Sequence, residues 1–190
     1  MNSEKIKKIS VIGIFTAIVI ILQMLGSFIK FGPFSISLVL IPIVVGAALY
    51  GPSAGAWLGF VFGMVVLLSG DAASFLAVSV IGTILTVILK GSLAGFASGL
   101  VYKSLSKNKT VATVLSAAVC PITNTGIFLL GCLLFFMPTI TQWSEGLGFA
   151  NVGQYMILGL VGGNFLVELM ANVILSPIIL RIIAMSDKIH

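Results

Sequence analysis

Lys90 and Glu168 each lie in the middle of a long hydrophobic stretch, where a charged side chain is least expected. Charged residues make up only 8% of the sequence. A charge at bilayer depth costs at least about 2.5–3.5 kcal/mol, so it usually has a partner or a function. Two chemistries are therefore open: a salt bridge that joins two helices, or a polar site that binds a solute or moves a proton.

Asparagine side chains extend this pair of charges into a polar level. Asn164, Glu168 and Asn172 recur every four residues, which places them on one face of a helix. Counted from the predicted outer helix ends, Lys90, Asn124 and Glu168 all lie about 20–22 Å along their helices. A polar face inside a bilayer must look into a helix bundle or a cavity. The spacing therefore predicts one polar level to which three helices contribute.

Three arrangements of this polar level are open. In the first, Lys90 and Glu168 form a buried salt bridge that the asparagines cap. In the second, both charges lie at or near the floor of a cavity that opens outward and binds a solute. In the third, the pair shapes the floor, and only Asn124 or Asn164 contacts the ligand. Pro121 lies one turn before Asn124 and removes a helix hydrogen bond, which predicts a kink at this level.

Aromatic residues lie in and just after the longest predicted outer loop, residues 138–154. Trp143, Phe149 and Tyr155 could form the walls or the lid of a cavity above the polar level. The alternative is interfacial anchoring, which Trp and Tyr provide at the depth of the lipid headgroups. Trp143 and Tyr155 are included among the candidate ligand-binding residues.

The composition indicates which elements must position these residues. Hydrophobic residues make up 59% of the 190-residue chain, whereas a soluble domain would carry roughly a quarter charged residues. We therefore predict an all-α, polytopic membrane protein that forms a single membrane domain over residues 1–190. Six apolar stretches predict six transmembrane helices, of which the second and third are short for a span of about 20 residues. Their approximate bounds are 9–29, 35–50, 54–68, 75–105, 111–137 and 155–184.

The basic residues predict the orientation of the bundle. Eight of the ten lysines and arginines fall before the first helix, between the fourth and fifth, or at the end of the sixth. In a six-helix bundle these three positions share one side, and only Lys30 falls on the other. Cytoplasmic loops carry an excess of Lys and Arg. Both termini are therefore predicted to be cytoplasmic.

The sequence offers no support for an enzyme or for a cofactor site. It contains no G-x-x-x-x-G-K-[ST] run for nucleotide binding and no H-E-x-x-H pair for zinc. The one histidine is His190, and the two cysteines do not complete a zinc-binding cluster with it. We expect neither catalysis nor a bound metal or cofactor.

Small residues recur with helical spacing in three helices. Residues four apart lie on one helix face, so glycines there let another backbone approach closely. The simplest interpretation of these stripes is packing between helices. The residues are Gly51, Gly55, Gly59 and Gly63 in helix 3, Gly91, Gly95 and Gly99 in helix 4, and Gly13 and Ala17 in helix 1.

Taken in order, these features resemble the substrate-binding S components of energy-coupling factor (ECF) transporters over nearly the whole chain. Residues 41–56, IPIVVGAALYGPSAGA, are similar to the turn between helices 2 and 3 of that family. The run Leu89-Lys90-Gly91, followed by Ala94-Gly95 and Val101-Tyr102-Lys103, is similar to its helix 4. Gly13-x-x-x-Ala17 matches the position of its Ala-x-x-x-Ala docking motif, with glycine replacing the first alanine.

The resemblance implies a high-affinity binding subunit of a bacterial or archaeal plasma membrane, without an ATPase of its own. Its substrate would be a water-soluble vitamin or a related micronutrient. Its partners would be a membrane coupling subunit, faced by Gly13 and Ala17, and two cytoplasmic ATPases. Such subunits are thought to topple in the membrane, and their ligand contacts come from helices 4–6 and the outer loops.

The identity of the substrate is less constrained than its class. Lys90 could meet a carboxylate, and Glu168 could meet an amine or a hydroxyl. Pantothenate is the first candidate on this chemistry, with riboflavin and folate as alternatives. If the two charges satisfy each other, however, neither sign is informative about the ligand.

Two other functions are open on the same residues. A stand-alone secondary transporter would use Glu168 as its proton-coupling residue and would move solute under a proton gradient without ATPase partners. A structural subunit of a larger complex would bind no small molecule.

Overall fold

A computed structural model describes residues 3–28, 30–31, 34–35 and 38–187. Helices dominate the described chain, and two π-helical segments, π1 and π2, interrupt the last two long helical stretches. Two short strands, β1 (Lys30–Phe31) and β2 (Phe34–Ser35), pair antiparallel between the first two helices. The helical elements are α1 Ser3–Phe28, α2 Leu40–Tyr50, α3 Pro52–Leu68, α4 Ala73–Leu76, α5 Val80–Ser104, α6 Lys109–Gly131, π1 Cys132–Phe136, α7 Met137–Gly146, α8 Val152–Gln154, π2 Tyr155–Gly162, α9 Gly163–Ile174 and α10 Ser176–Asp187.

Four of the described helical stretches are long and apolar enough to cross a bilayer: Lys5–Ser27, Val80–Ser104, Lys109–Gly146 and Val152–Ile174. The apolar helices α2 and α3 are shorter, with 11 and 17 residues. The predicted helical membrane fold is thus confirmed in its coarser form. The count of six spans and the cytoplasmic side of the termini stay predictions.

The shortest of the apolar helices, α2, lies at the centre of the bundle. Seven of its residues are buried, and Leu40, Ile43 and Val44 have no exposed surface. A helix that is apolar all round belongs in the interior. Gly51 ends α2 with a φ of 89°, a left-handed conformation that glycine adopts without strain. Pro52 then begins α3, so the chain turns sharply between the two helices.

The glycine stripes of α3 and α5 pack against each other along an antiparallel crossing. A Cβ on Gly59 would collide with the carbonyl oxygen of Gly91, and a Cβ on Gly55 with that of Gly95. The two backbones therefore touch directly, as the spacing predicted. This contact places Phe62 of α3 beside the helix turn that carries Lys90.

Helix α6 packs on the other side of α5. Ser98 and Ser116 lie in this interface with their hydroxyl oxygens 2.7 Å apart, and each hydroxyl also bonds to the other residue's carbonyl oxygen. Farther along, Gly131 leaves room for the side chain of Thr86. The interface sets the register that brings Asn124 to the level of Lys90.

The predicted helix 4, residues 75–105, is two helices in the structure. Ser79 is extended, with φ −151° and ψ 107°, and its side chain accepts a hydrogen bond from the backbone N–H of Gly82. Such a cap satisfies a free donor at a helix start, so α5 begins at Val80. Residues 73–76 form the short α4 above it.

The predicted helix 5, residues 111–137, is longer in the structure. It continues through π1 into α7 and ends at Gly146. Pro138 does not stop it, because this proline lies in the first turn of α7, where a missing N–H is tolerated. The chain is helical across Pro121, and the departure from α-helical geometry comes later, at π1. Part of the predicted outer loop 138–154 is thus helical.

The remaining helix bounds also differ from prediction. The last predicted helix, 155–184, starts at Val152 and breaks at Leu175, because Pro177 has no N–H to donate to the carbonyl of Val173 one turn earlier. The first begins earlier, at Ser3, and its predicted last residue, 29, lies outside the described residues. The second begins at Leu40, whereas its predicted start, Ser35, is in β2; residues 36–37 are outside the described part.

Candidate functional site

A cavity of about 250 Å³ lies inside the helix bundle. Its lining comes from α1, α3, α4, α5, α6, π1, π2 and α9, whereas the described residues of α2, α7, α8 and α10 contribute nothing to it. The lining includes Asp71 in the turn after α3 and Tyr155 at the start of π2. Asp71 and Tyr155 lie at the end of the bundle that is predicted to face outward. Lys90, Asn124 and Glu168 lie deeper along their helices.

Lys90 reaches the cavity from the middle of α5. Its ammonium nitrogen lies 5.6 Å from the centre of the Phe62 ring and 5.4 Å from that of Phe128. Cation–π contacts contribute about 0.5–1 kcal/mol at exposed sites and about 2 kcal/mol or more when the cation is desolvated. Among the described residues, no carboxylate forms a salt bridge with Lys90, and Oε2 of Glu168 has no hydrogen-bond partner. The first predicted arrangement, a direct Lys90–Glu168 salt bridge, is therefore not the one found.

Glu168 is held by the asparagines on its own helix. Its Oε1 accepts a hydrogen bond of 3.2 Å from Asn164 Nδ2, and its backbone carbonyl accepts one of 2.9 Å from Asn172 Nδ2. The residue is only 3% exposed, and Oε2 has no partner among the described residues. The predicted polar stripe on one face thus exists, but only Asn164 contacts the Glu168 carboxylate, and Asn172 bonds to the backbone instead of capping a salt bridge.

Four buried oxygen atoms of cavity-lining residues lack hydrogen-bond partners within the described part of the chain. Native proteins leave few buried polar atoms unpaired. Because the four residues line one cavity, a ligand or water in that cavity with N–H or O–H donors is a candidate partner for these oxygens. They are Thr86 Oγ1, Asn124 Oδ1, Asn164 Oδ1 and Glu168 Oε2.

The end of the cavity near Asp71 combines one hydrogen-bonded carboxylate with a cluster of aromatic rings. Gln23 of α1 donates a 2.8 Å hydrogen bond to Asp71 Oδ2, which ties α1 to the turn after α3. Phe75 of α4 packs edge-to-face on Phe128 and Phe136, with ring centres 5.5 and 5.0 Å away. Aromatic walls of this kind are typical of small-molecule pockets.

The predicted site residues fall into two groups. Five of them line the cavity: Lys90, Asn124, Tyr155, Asn164 and Glu168. Trp143 is not part of the lining; its ring packs edge-to-face on Phe75 at 5.6 Å and supports that wall from behind. The predicted docking residues Gly13 and Ala17 are exposed on α1 and take no part in the cavity.

Several lining residues were not predicted from the sequence. Thr83 and Thr86 precede Lys90 by about two turns and one turn of helix, respectively, on the same face, a spacing that could have identified them. Gln23 is a single amide in the apolar run of α1, and Asp71 is one of only five acidic residues in the chain. The aromatic lining gave no such signal, since phenylalanine is also the ordinary core residue of a membrane helix.

Trp143 offers a direct test of its place behind the cavity wall. The chain has two tryptophans, and the other, Trp57, is half exposed on α3 and stacks on Phe60. In a Trp57→Phe variant we expect a saturable change in Trp143 emission as ligand enters beside Phe75. The Trp143→Phe control should show none, and its affinity should fall by less than about tenfold, or about 1.4 kcal/mol. A saturable signal from Trp57 alone would contradict this placement.

Comparison with known proteins assigns this fold and cavity to a class. Residues 7–182 match the family described as "ECF transporter, substrate-specific component", and the chain belongs to that family. It is thus a multi-pass cell-membrane transport component and not an enzyme, in agreement with the sequence-based prediction. The family favours the predicted ECF subunit over a stand-alone transporter.

A curated relative narrows the comparison further. The chain is 28% identical over 196 residues to the "Pantothenic acid transporter PanT" of Lactococcus lactis subsp. cremoris (strain MG1363), a match that covers 94% of each chain. No solved structure gives a significant match.

Proposed function

We propose that this protein is the high-affinity pantothenate-binding S component of an ECF importer. It binds pantothenate in the cavity described above and works with a membrane coupling subunit and two cytoplasmic ATPases. The Lactococcus relative matches nearly the full length of both chains, and its name supports pantothenate as the substrate. The chemistry of the cavity supports it independently.

The observation that carries this proposal is the position of the Lys90 ammonium and its lack of a counter-ion in the described part of the chain. Its ammonium lies in a cavity between two aromatic rings and has no salt-bridge partner among the described residues. A buried cation of this kind is suited to an anionic ligand. Pantothenate provides a carboxylate for Lys90, and its hydroxyl and amide groups provide donors for the unpaired oxygens of Thr86, Asn124 and Asn164.

The size of the cavity favours pantothenate over the other two vitamins considered. Its volume of about 250 Å³ is just below the range of about 300–1,000 Å³ for drug-sized ligands. Pantothenate is a compact, flexible chain, whereas riboflavin and folate carry fused ring systems that need a larger, flatter space. The ligand contacts are Lys90, Asn124, Asn164, Glu168 and Tyr155, and Trp143 supports the wall.

The proposed membrane arrangement has both termini in the cytoplasm, six spans and a cavity that opens outward. The clustering of basic residues on one side of the bundle supports it. Gly13 and Ala17 of α1 are the proposed contact with the coupling subunit. Both are exposed, and Gly13 has no neighbouring atom where a Cβ would project, so another helix could approach closely.

Reconstitution separates this function from that of a stand-alone transporter. We expect liposomes that contain the complete ECF complex to accumulate labelled pantothenate when ATP is supplied to the ATPases. Liposomes that contain this protein alone should not accumulate it under a proton gradient. Uptake by the isolated protein would overturn the ECF proposal, and ATP-driven uptake of a different vitamin would overturn the substrate.

A further inference from the structure

The cavity is more acidic than an anion-binding site should be. Its lining contains one basic residue, Lys90, and two acidic ones, Asp71 and Glu168. With all three ionised, the lining carries one net negative charge. An anionic ligand beside Lys90 would add a second negative charge to the same cavity inside the helix bundle. Like charges in such an environment strongly favour the uptake of a proton by one of the acidic groups.

Glu168 is better placed than Asp71 to take up that proton. Asp71 is only partly buried at the end of the cavity farthest from Lys90 along the helices, and Gln23 donates a hydrogen bond to its Oδ2. Glu168 is almost fully buried, and Asn164 donates only to its Oε1. Its Oε2 has no donor among the described residues. A protonated carboxyl is a donor as well as an acceptor, so a proton on Oε2 could be shared with a ligand oxygen.

On the basis of the proposed function, we propose that pantothenate binding is coupled to the uptake of one proton from solvent by Oε2 of Glu168. The proton keeps the charge of the occupied cavity equal to that of the empty one. Lys90 stays cationic and faces the ligand carboxylate, while Glu168 becomes a neutral donor to a hydroxyl or carbonyl oxygen of the ligand. Binding affinity then depends on pH even though the ligand itself stays ionised.

The surroundings of Glu168 contain few other groups that could take up this proton. On α6, Cys120 is buried; as a thiol it is already protonated and has no site for a further proton. In π2, Tyr155 lines the cavity as a neutral phenol. The other packed elements, α2, α10 and β2, contribute no titratable side chain to the described lining. Lys90 and Asp71 are the remaining candidates.

Calorimetry distinguishes these candidates and also separates this inference from the proposed function. Pantothenate is titrated into the intact protein at mildly alkaline pH, in buffers with different heats of ionisation. The dependence of the observed heat on buffer heat gives the number of protons taken up. We expect about one proton to be taken up per ligand bound. The affinity should therefore fall about tenfold for each unit by which the pH rises. Absence of binding would contradict the proposed function, whereas binding without proton uptake would overturn only the coupling.

Two variants and one ligand analogue identify the group that takes up the proton. Glu168→Gln should bind pantothenate with no proton uptake, whereas Asp71→Asn should still take up about one proton. Pantothenol, the uncharged alcohol analogue, should bind the wild type without uptake. Uptake that persists in Glu168→Gln would assign the proton to Lys90 or another group and overturn the proposal.

Infrared difference spectroscopy on the wild type provides a measurement that needs no variant. Pantothenate should induce the carbonyl band of a protonated carboxyl group, and this band should shift in D₂O. Pantothenol should not induce it. If pantothenate binds without this band, Glu168 stays ionised and the proposal is wrong.

Discussion

Replacing Lys90 with Met is expected to lower the affinity for pantothenate by about 30-fold to several thousand-fold. This range corresponds to the cost of about 2–5 kcal/mol for removing one partner of a buried charge pair. Met keeps most of the side-chain volume beside Phe62 and Phe128, so the cavity wall should hold its shape. Calorimetric titration of the purified variant measures the effect.

Two comparisons assign this loss to the carboxylate of the ligand. Pantothenol lacks that charge, so its affinity should change far less between the wild type and Lys90→Met. Lys103→Met is the matched control, because Lys103 is an exposed lysine in the last turn of the same helix. Equal losses for the acid and the alcohol would contradict a direct contact between Lys90 and the carboxylate.

Replacing Gly59 with Ala is expected to cause the largest loss of stability among single-methyl substitutions in the bundle. The added Cβ would collide with the backbone of Gly91 and Ser92, which cannot rotate away as a side chain could. Overpacking of this kind costs about 1–3 kcal/mol, and a rigid backbone neighbour places Gly59 at the upper end. Separation of α3 from α5 would also move Phe62 away from Lys90, so affinity should fall with stability.

Gly126→Ala provides the control for this substitution. Gly126 lies within α6, and nothing lies within contact distance of a Cβ built there. Ala is a better helix former than Gly by about 1 kcal/mol, so this variant should be as stable as the wild type or slightly more so. Thermal unfolding in the same detergent or nanodisc measures both. Equal melting temperatures for the two variants would show that the α3–α5 crossing is not tightly packed.

The helical membrane fold and the polar level could be predicted because both follow from strong local signals. Hydrophobic length predicts a membrane helix, and a charge within it predicts a special environment. The spacing of Asn164, Glu168 and Asn172 correctly placed them on one helix face. The matching depths correctly brought Lys90 and Asn124 to the same cavity.

The details that could not be predicted depend on contacts between distant parts of the chain. The break at Ser79 depends on one side-chain cap, and the extension of α6 into α7 depends on π1, neither of which changes the apolar pattern. Whether Lys90 meets Glu168 depends on side-chain direction, which depth along a helix does not determine. The contribution of Gln23 from α1 required the tertiary hydrogen bond to Asp71.

Native mass spectrometry of the gently purified protein tests most directly whether the cavity at Lys90 binds pantothenate. The wild type is expected to carry one additional mass equal to that of pantothenate, and Lys90→Met, prepared in the same way, is expected to lose it. Lys103→Met should retain it. A wild-type protein that remains free of small molecules when pantothenate is added, or one that retains pantothenate after Lys90→Met, would contradict the proposed site.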